Sequence, residues 1–300
     1  MRCPTMIGSF MCRLFGFRSN VTSRAHRSLV EAENALVEQS NLHPDGWGIG
    51  YFIQQDAYIL KSEEPAHESE RFRLASSRLQ SHAFVVHVRR ATVGSKDYMN
   101  SHPFRFGRWI LAHNGTIFSF DKLRDWMVAR IRPEQQPLIF GTTDSEHLFH
   151  YLLSAMAEQG VDPTGHGHID CHVAARALRD AVDALYVQAQ GVAAEDHPIV
   201  NFILTNGDTF FAMRAGKELY LSTQKVVCRD AETCPEPRKV CLEALRPDPH
   251  VNHLIVSSEQ IGEEDIWEPL EQGQLVWLDS DFELGFLDAP PHFALSKLAC

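Results

Sequence analysis

The apolar positions begin with a short run. Residues 12–18, "CRLFGFR", read as a strand. Over residues 23–39, Ala25, Leu29, Ala32 and Leu36 recur at helical spacing with Glu and Arg opposite, which predicts an amphipathic helix. "GWGIGYFIQQDAYIL" predicts two strands joined by a polar turn at residues 54–56. "AFVVHV" (83–88) is continuously apolar, as in a strand covered on both faces. "WILAHNG" predicts a strand closed by an Asn-Gly turn. Phe120, Leu123, Trp126 and Met127 trace one face of a helix, and Thr143 with Glu146 forms a T-x-x-E capping box before a helix running through Met156. Another helix is expected over 171–188. The second half changes period. "NFILTNGDTFFAMR" predicts a hairpin about "NGD", and "ELYLST", "HLIVSS", "GQLVWLD" and "FELGFL" follow as strands. Residues 161–170 and the Pro- and Cys-rich residues 228–250 predict loops. No repeat, low-complexity tract or linker divides the chain. One domain of sheet packed on sheet, with helices outside, is the simplest assembly of these elements.

Composition narrows the function classes. Hydrophobic residues make up 44% of the 300, ample for a packed core. The net charge of -11 argues against nucleic acid, which needs a basic face. No apolar run reaches the roughly 18 residues of a membrane helix. Arg13 interrupts the signal-peptide-like run from Met6 to Phe17, and no small-residue cleavage site follows. Seven cysteines without a CxxC pair suit reduced thiols in a cytosolic protein.

Chemistry concentrates in a few stretches. Cys12 follows Met11 directly. As an internal residue it is an ordinary strand thiol, a common buried type. As the first residue of a mature chain it would carry a thiol and a free α-amine together. That amine, with a reference pKa of about 7.7–8.0, could take the thiol proton directly or through a water. A peptide nitrogen cannot, because its lone pair is delocalised. "HPDGWGIGY" sets glycines about Trp47, where backbone can approach a ligand or turn sharply. Arg89 and Arg90 end a buried apolar run, where a guanidinium needs a carboxylate from the protein or a ligand. Asn114-Gly115 is either a turn or a pair of donors for a developing oxyanion. Asp144, in the first turn of a helix, either complements the dipole or binds a substrate ammonium. "HGHIDCH" offers His166, His168, Cys171 and His172 as zinc ligands or as a solvated loop. His87, His102 or His113 could serve as base in a Cys-His enzyme.

In order, Met-Cys, Gly-Trp-Gly, H-x-R-x-A-T, S-H-P-F, H-N-G and T-D-S-E span about 135 residues. The series resembles the class II glutamine amidotransferases, members of the N-terminal-nucleophile hydrolases. It covers Met11 to about Phe149 closely and the later strands more loosely. The resemblance implies an α+β fold, a four-layer α/β/β/α sandwich of two mainly antiparallel sheets. It implies Cys12 as nucleophile and, through its α-amine, as base, with Asn114 and Gly115 as the oxyanion hole. Arg89 would hold the glutamine α-carboxylate and Asp144 the α-ammonium. Thr92, His102, Trp47 and Gly48 would line the site. No cofactor and no metal is implied. Residues 1–11 would be a leader or a misplaced start, and 12–300 the single catalytic domain. Arg90 and Val93 stand where relatives with synthase domains carry an aromatic residue and a histidine. The expected ligand is glutamine or a γ-glutamyl amide, and a separate ammonia-accepting synthase is a possible partner. The alternative is a glutamine-binding sensor that needs no free Cys12.

Overall fold

The computed structural model describes residues 12–23, 27–31, 35–89, 97–192, 197–226, 250–290 and 293. The first half forms β1 (Arg13–Ser23), α1 (Leu36–Gln39), β2 (Trp47–Ile53), β3 (Asp56–Ser62), α2 (Glu70–Arg78) and β4 (Ser81–Val88). It continues with β5 (Phe104–Phe106), β6 (Trp109–Thr116), α3 (Phe120–Val128), α4 (Asp144–Glu158) and α5 (Cys171–Gln190). Strands β7 (Ile199–Thr205), β8 (Phe210–Met213), β9 (Tyr220–Ser222), β10 (His253–Ser257), β11 (Glu268–Pro269), β12 (Leu275–Leu278) and β13 (Leu284–Leu287) complete it.

Strand alternation sets the layers. Every ladder is antiparallel; one sheet runs β11-β9-β10-β1-β4-β2-β3 and the other β13-β12-β8-β7-β6-β5. Leu14, Val85, Ile110, Ala112, Ile203 and Ala212 form the core between the sheets. The alternate residues Phe15, Trp47, Ile49, Phe84 and Val86 face outward and pack with Leu29, Leu36 and Phe72. On the far side, Trp109, Leu111, Phe202 and Leu204 join Leu123, Leu148, Leu152 and Leu178 from α3, α4 and α5. The result is the four-layer α/β/β/α order.

Three local expectations change. The helix expected over 23–39 is not continuous. β1 runs to Ser23, a single π-type turn spans Arg27–Glu31, and α1 covers only Leu36–Gln39. Leu29 and Leu36 still meet in one cluster. The Ser40 hydroxyl, donating to the Val37 carbonyl at 2.7 Å, marks the end of α1. Ala25 and Ala32 lie outside the described residues. The Asn-Gly pair is not a turn either, because β6 continues to Thr116. Its partner β7 takes Asn114 against Asn201 and Gly115 against Val200, so the ladder overrides the local turn preference. The capping box closes on one side only. Thr143 Oγ1 accepts from Glu146 N–H at 3.4 Å, but the Glu146 carboxylate instead takes the N–H groups of Phe140 at 3.2 Å and Gly141 at 2.6 Å. The loop expected at 228–250 lies outside the described residues, except for His250.

Candidate active site

Register builds the site. Arg13 pairs with Val88 and Leu14 with His87, so one further step along the ladder sets Cys12 across from Arg89. Arg89 is buried, its N–H donating to the Gly46 carbonyl at 2.8 Å and its carbonyl accepting from Asp45 N–H at 3.1 Å. Leu14 and Val85 face the other sheet, so period-two alternation aims Cys12, His87 and Arg89 the same way. Ile110 and Ala112 face them from β6, and the same alternation turns Asn114 toward Cys12 and Arg89. The Asn114 Oδ1 is buried with no hydrogen-bond partner.

Across the ladder from Asn114, buried Asn201 fixes the next turn. Its Oδ1 accepts from Ala215 N–H at 2.9 Å and Lys217 N–H at 3.2 Å, and its Nδ2 donates to the Lys217 carbonyl at 2.9 Å. The Lys217 ammonium is pushed below its ordinary value by burial and by Arg13, and back upward by Cys12, which puts both cations beside the thiol. Arg13 also pairs with Glu259 at 3.0 Å. Neither Asn201 nor Lys217 stood out in the sequence, since each acquires its place only through remote pairing.

Asp144 opens α4 behind the end of β6. Its buried carboxylate accepts the Ile117 N–H on Oδ2 at 2.7 Å and meets the Ser145 hydroxyl on Oδ1 at 3.2 Å. Ser145 Oγ also lies 2.8 Å from His113 Nδ1, and His113 Nε2 lies 2.9 Å from the Ile199 carbonyl. The His87 and His102 rings sit 4.2 Å apart, with His113 6.3 Å from His102. Burial, then Arg89 and the neighbouring histidines, pushes His87 down to about 3. Burial, then His87 and His113, holds His102 well below its usual value. Burial lowers His113 too, opposed by Asp144 and the bond to Ile199. Imidazoles this reluctant to charge are poor bases for a thiol, which weighs against the Cys-His reading.

The remaining sequence candidates are placed differently. Thr92, with Arg90 and Val93, lies outside the described residues. Trp47 faces away from Cys12, its ring packed edge-on at 5.1 Å from Phe72 in the outer core. A Cβ on Gly48 would collide with the His102 carbonyl and reach within 2.8 Å of Pro103 Cδ. Gly48 therefore lets His102 and Pro103 lie directly on β2. Gly115 follows Asn114 in β6, and a Cβ there would strike the Ile199 carbonyl. The structure thus brings Cys12, Arg89 and Asn114 to one end of the inter-sheet space, with Asp144 behind β6. "HGHIDCH" does not converge: Cys171 is buried at the start of α5 and the His172 ring packs edge-on 4.9 Å from Trp277. Among the described residues, no group of three or more His, Cys, Asp or Glu is placed to hold a metal ion.

Comparison with known proteins bears on the chain as a whole. The family model for glutamine amidotransferases class-II matches residues 11–290. A probable glutamine amidotransferase of Saccharomyces cerevisiae is 25% identical over 226 residues, 68% of this chain and 63% of that protein. The gamma-glutamyl-hercynylcysteine sulfoxide hydrolase of Mycobacterium tuberculosis is 35% identical over 77 residues, 25% of this chain and 33% of that protein. The chain spans 41%, 63% and 56% of the first three curated relatives it matches. A glutamine aminotransferase class-II domain protein from Silicibacter pomeroyi has the same fold, with a TM-score of 0.63 at 18% identity, covering 93% of this chain and 100% of that one. The sandwich and a match over nearly the whole length agree: the chain belongs to the class-II glutamine amidotransferases.

Proposed function

We propose that the protein is an amidohydrolase of L-glutamine or a γ-glutamyl amide, acting through Cys12 as the first residue of a processed chain. Arg89 holds the substrate α-carboxylate and Asp144 its α-ammonium, the complements of the two charges of an amino acid. The Cys12 amine takes the thiol proton, and the thiolate attacks the side-chain amide carbon. The Asn114 carboxamide and the Gly115 N–H donate to the oxyanion. As the carbon–nitrogen bond breaks, the protonated amine gives its proton to the departing ammonia or amine. Water then cleaves the glutamyl thioester to release glutamate and restore the thiol. His102 lines the pocket, and Gly48 shapes its wall by letting His102 and Pro103 lie against β2.

The observation that carries this reading is the facing of Cys12 and Arg89, across one ladder, by Asn114 from the second sheet. Similarity to a hydrolase whose name specifies a γ-glutamyl substrate favours an amine leaving group as well as ammonia. Residues 12–300 act as one domain, either alone or supplying ammonia to a separate synthase, in the cytoplasm. No helix among the described residues is long and apolar enough to cross a membrane. One fact favours a second reading, a glutamine-binding sensor. Met11 precedes Cys12, so until residues 1–11 are removed the Cys12 nitrogen is a peptide nitrogen without basicity.

The test is protein expressed from Met11, assayed for ammonia or amine release from glutamine and a panel of γ-glutamyl amides. Turnover is expected from a chain whose intact mass begins at Cys12, with a loss of at least about 10³-fold in Cys12→Ala. An active Cys12→Ala protein, or an active chain that retains its first eleven residues, would rule the mechanism out.

A further inference from the structure

The contact between β6 and α4 is polar at its buried end. Four groups share it in a row: the Ile199 carbonyl, the His113 imidazole, the Ser145 hydroxyl and the Asp144 carboxylate. All three side chains are buried. A carbonyl can only accept, so His113 Nε2 carries a proton toward Ile199 at 2.9 Å. What lies between His113 Nδ1 and Ser145 Oγ, 2.8 Å apart, then depends on the charge of His113. With His113 neutral, Nδ1 is a lone pair and only the serine proton can bridge the gap. The hydroxyl has no second proton, so donation to Nδ1 competes with the 3.2 Å bond in which it donates to Asp144 Oδ1. With His113 charged, Nδ1–H donates to Oγ and the serine proton is free to turn onto Oδ1.

We propose that Ser145 and His113 are positioning residues that set Asp144 as an acceptor: neutral His113 draws the Ser145 hydroxyl away and leaves Oδ1 open to a ligand ammonium, whereas charged His113 turns that hydroxyl onto Oδ1 and closes it. The inference rests on Asp144 binding the α-ammonium, as in the reading above. No bond between heavy atoms changes; one proton enters at Nδ1 and one hydroxyl rotates. The Ile117 N–H, at 2.7 Å on Oδ2, holds the carboxylate in place in both states. The ionisable groups around His113 are Asp144 from α4, His87 from β4 and His102 before β5. Arg89 acts on both of those rings and Lys61 on His102. The other two imidazoles stay neutral deeper into acid, and burial keeps His113 neutral near pH 7, the open state.

Linkage makes the idea measurable. If acid closes Oδ1, glutamine affinity falls as pH drops through the His113 transition, and glutamine binding in that range expels a proton. The experiment is calorimetric titration of L-glutamine into the full chain carrying Cys12→Ala, from about pH 8 down to the lowest pH at which the chain stays folded. Buffers of different ionisation heat report proton release. 4-Carbamoylbutanoate, which lacks the α-ammonium, is the second probe. Glutamine is expected to lose about tenfold in affinity toward acid, with proton release, while 4-carbamoylbutanoate shows neither. In Ser145→Ala the charged imidazole loses its acceptor, so the acid limb moves to lower pH by about one unit or more. Ser145→Thr keeps the hydroxyl and keeps the limb in place. A limb that stays in place or moves to higher pH in Ser145→Ala overturns the proposal. So does glutamine binding to the Cys12→Ala chain without proton release, a result that needs no second substitution. Asp144→Asn separates the two levels. If glutamine fails to bind, or Asp144→Asn leaves its advantage over 4-carbamoylbutanoate intact, the Asp144 reading falls and this proposal with it. If Asp144→Asn abolishes that advantage but Ser145→Ala leaves the limb unmoved, only the Ser145–His113 proposal falls.

Discussion

Asn114 buries a carboxamide oxygen with no partner, a cost of about 1–3 kcal/mol in an ordinary core. Such an atom is tolerated where the other end of the side chain has work that the unliganded protein does not show. In the oxyanion-donor role proposed for it, Asn114 would act on charge that exists only in the transition state. Asn114→Ala should therefore lower kcat about 10²–10³-fold with little change in KM. Its melting temperature should be equal to or above that of the parent, because an unpaired buried oxygen is removed. Steady-state kinetics beside a thermal melt checks both halves, and a raised KM at unchanged kcat would assign Asn114 to ground-state binding instead. Cys12, Arg89, Asn114 and Asp144 stand out in the sequence as candidates because each carries distinctive chemistry beside a local signal: a Met, the end of an apolar run, a glycine, a capping threonine. Ser145 and Asn201 do not. A serine in a first helical turn and an asparagine in a strand have ordinary local explanations, and their partners His113 and Lys217 stand far from them in sequence.

Elements place these residues through close approach. β2 carries glycine at 48 because the His102 carbonyl and Pro103 ring lie where a side chain would go. That contact presses His102 onto His87, beside Arg89. Gly48→Ala should push β2 and the His102–Pro103 segment apart at a cost of about 1–3 kcal/mol, the usual cost of overpacking. The check is the urea midpoint at unchanged m-value, with glutamine affinity falling alongside stability. A variant as stable as the parent would show that the segment shifts freely. Strands marked by a continuous apolar run, such as β4 and β6, were readable, as were the amphipathic face of α3 and, from its capping threonine, the start of α4. α2 was not, since "ERFRLASSR" is largely polar and buries little beyond Phe72 beneath Trp47. The Asn-Gly in β6 misled for the opposite reason: a strong local turn signal yielded to pairing with β7, seven ladder positions in all.

At the scale of the molecule, the two-sheet sandwich buries several histidines as neutral rings. Burial and nearby positive groups take His87 and His253 down to about 3, and burial with His147 takes His150 to about 4. In the unfolded chain the same side chains titrate near 6.5. Below that value the unfolded state binds more protons than the folded one. The stabilisation is therefore complete above about pH 6.5 and is lost as pH falls toward each folded value. Each group contributes a slope of up to about 1.4 kcal/mol per pH unit within its window. Net charge argues the other way. The chain carries -11 at pH 7 and has a pI of about 5.8, so acidification toward that point relieves self-repulsion. Salt decides between the two, because at about 0.15 M the Debye length of ~8 Å screens exposed charges and leaves buried rings unscreened. Under those conditions the melting temperature should fall steadily from about pH 6.5 to pH 4. His253→Gln, away from Cys12, should flatten the slope by one group's share. A melting temperature that peaked near the pI would show that surface charge, not the buried imidazoles, governs the acid stability of this fold.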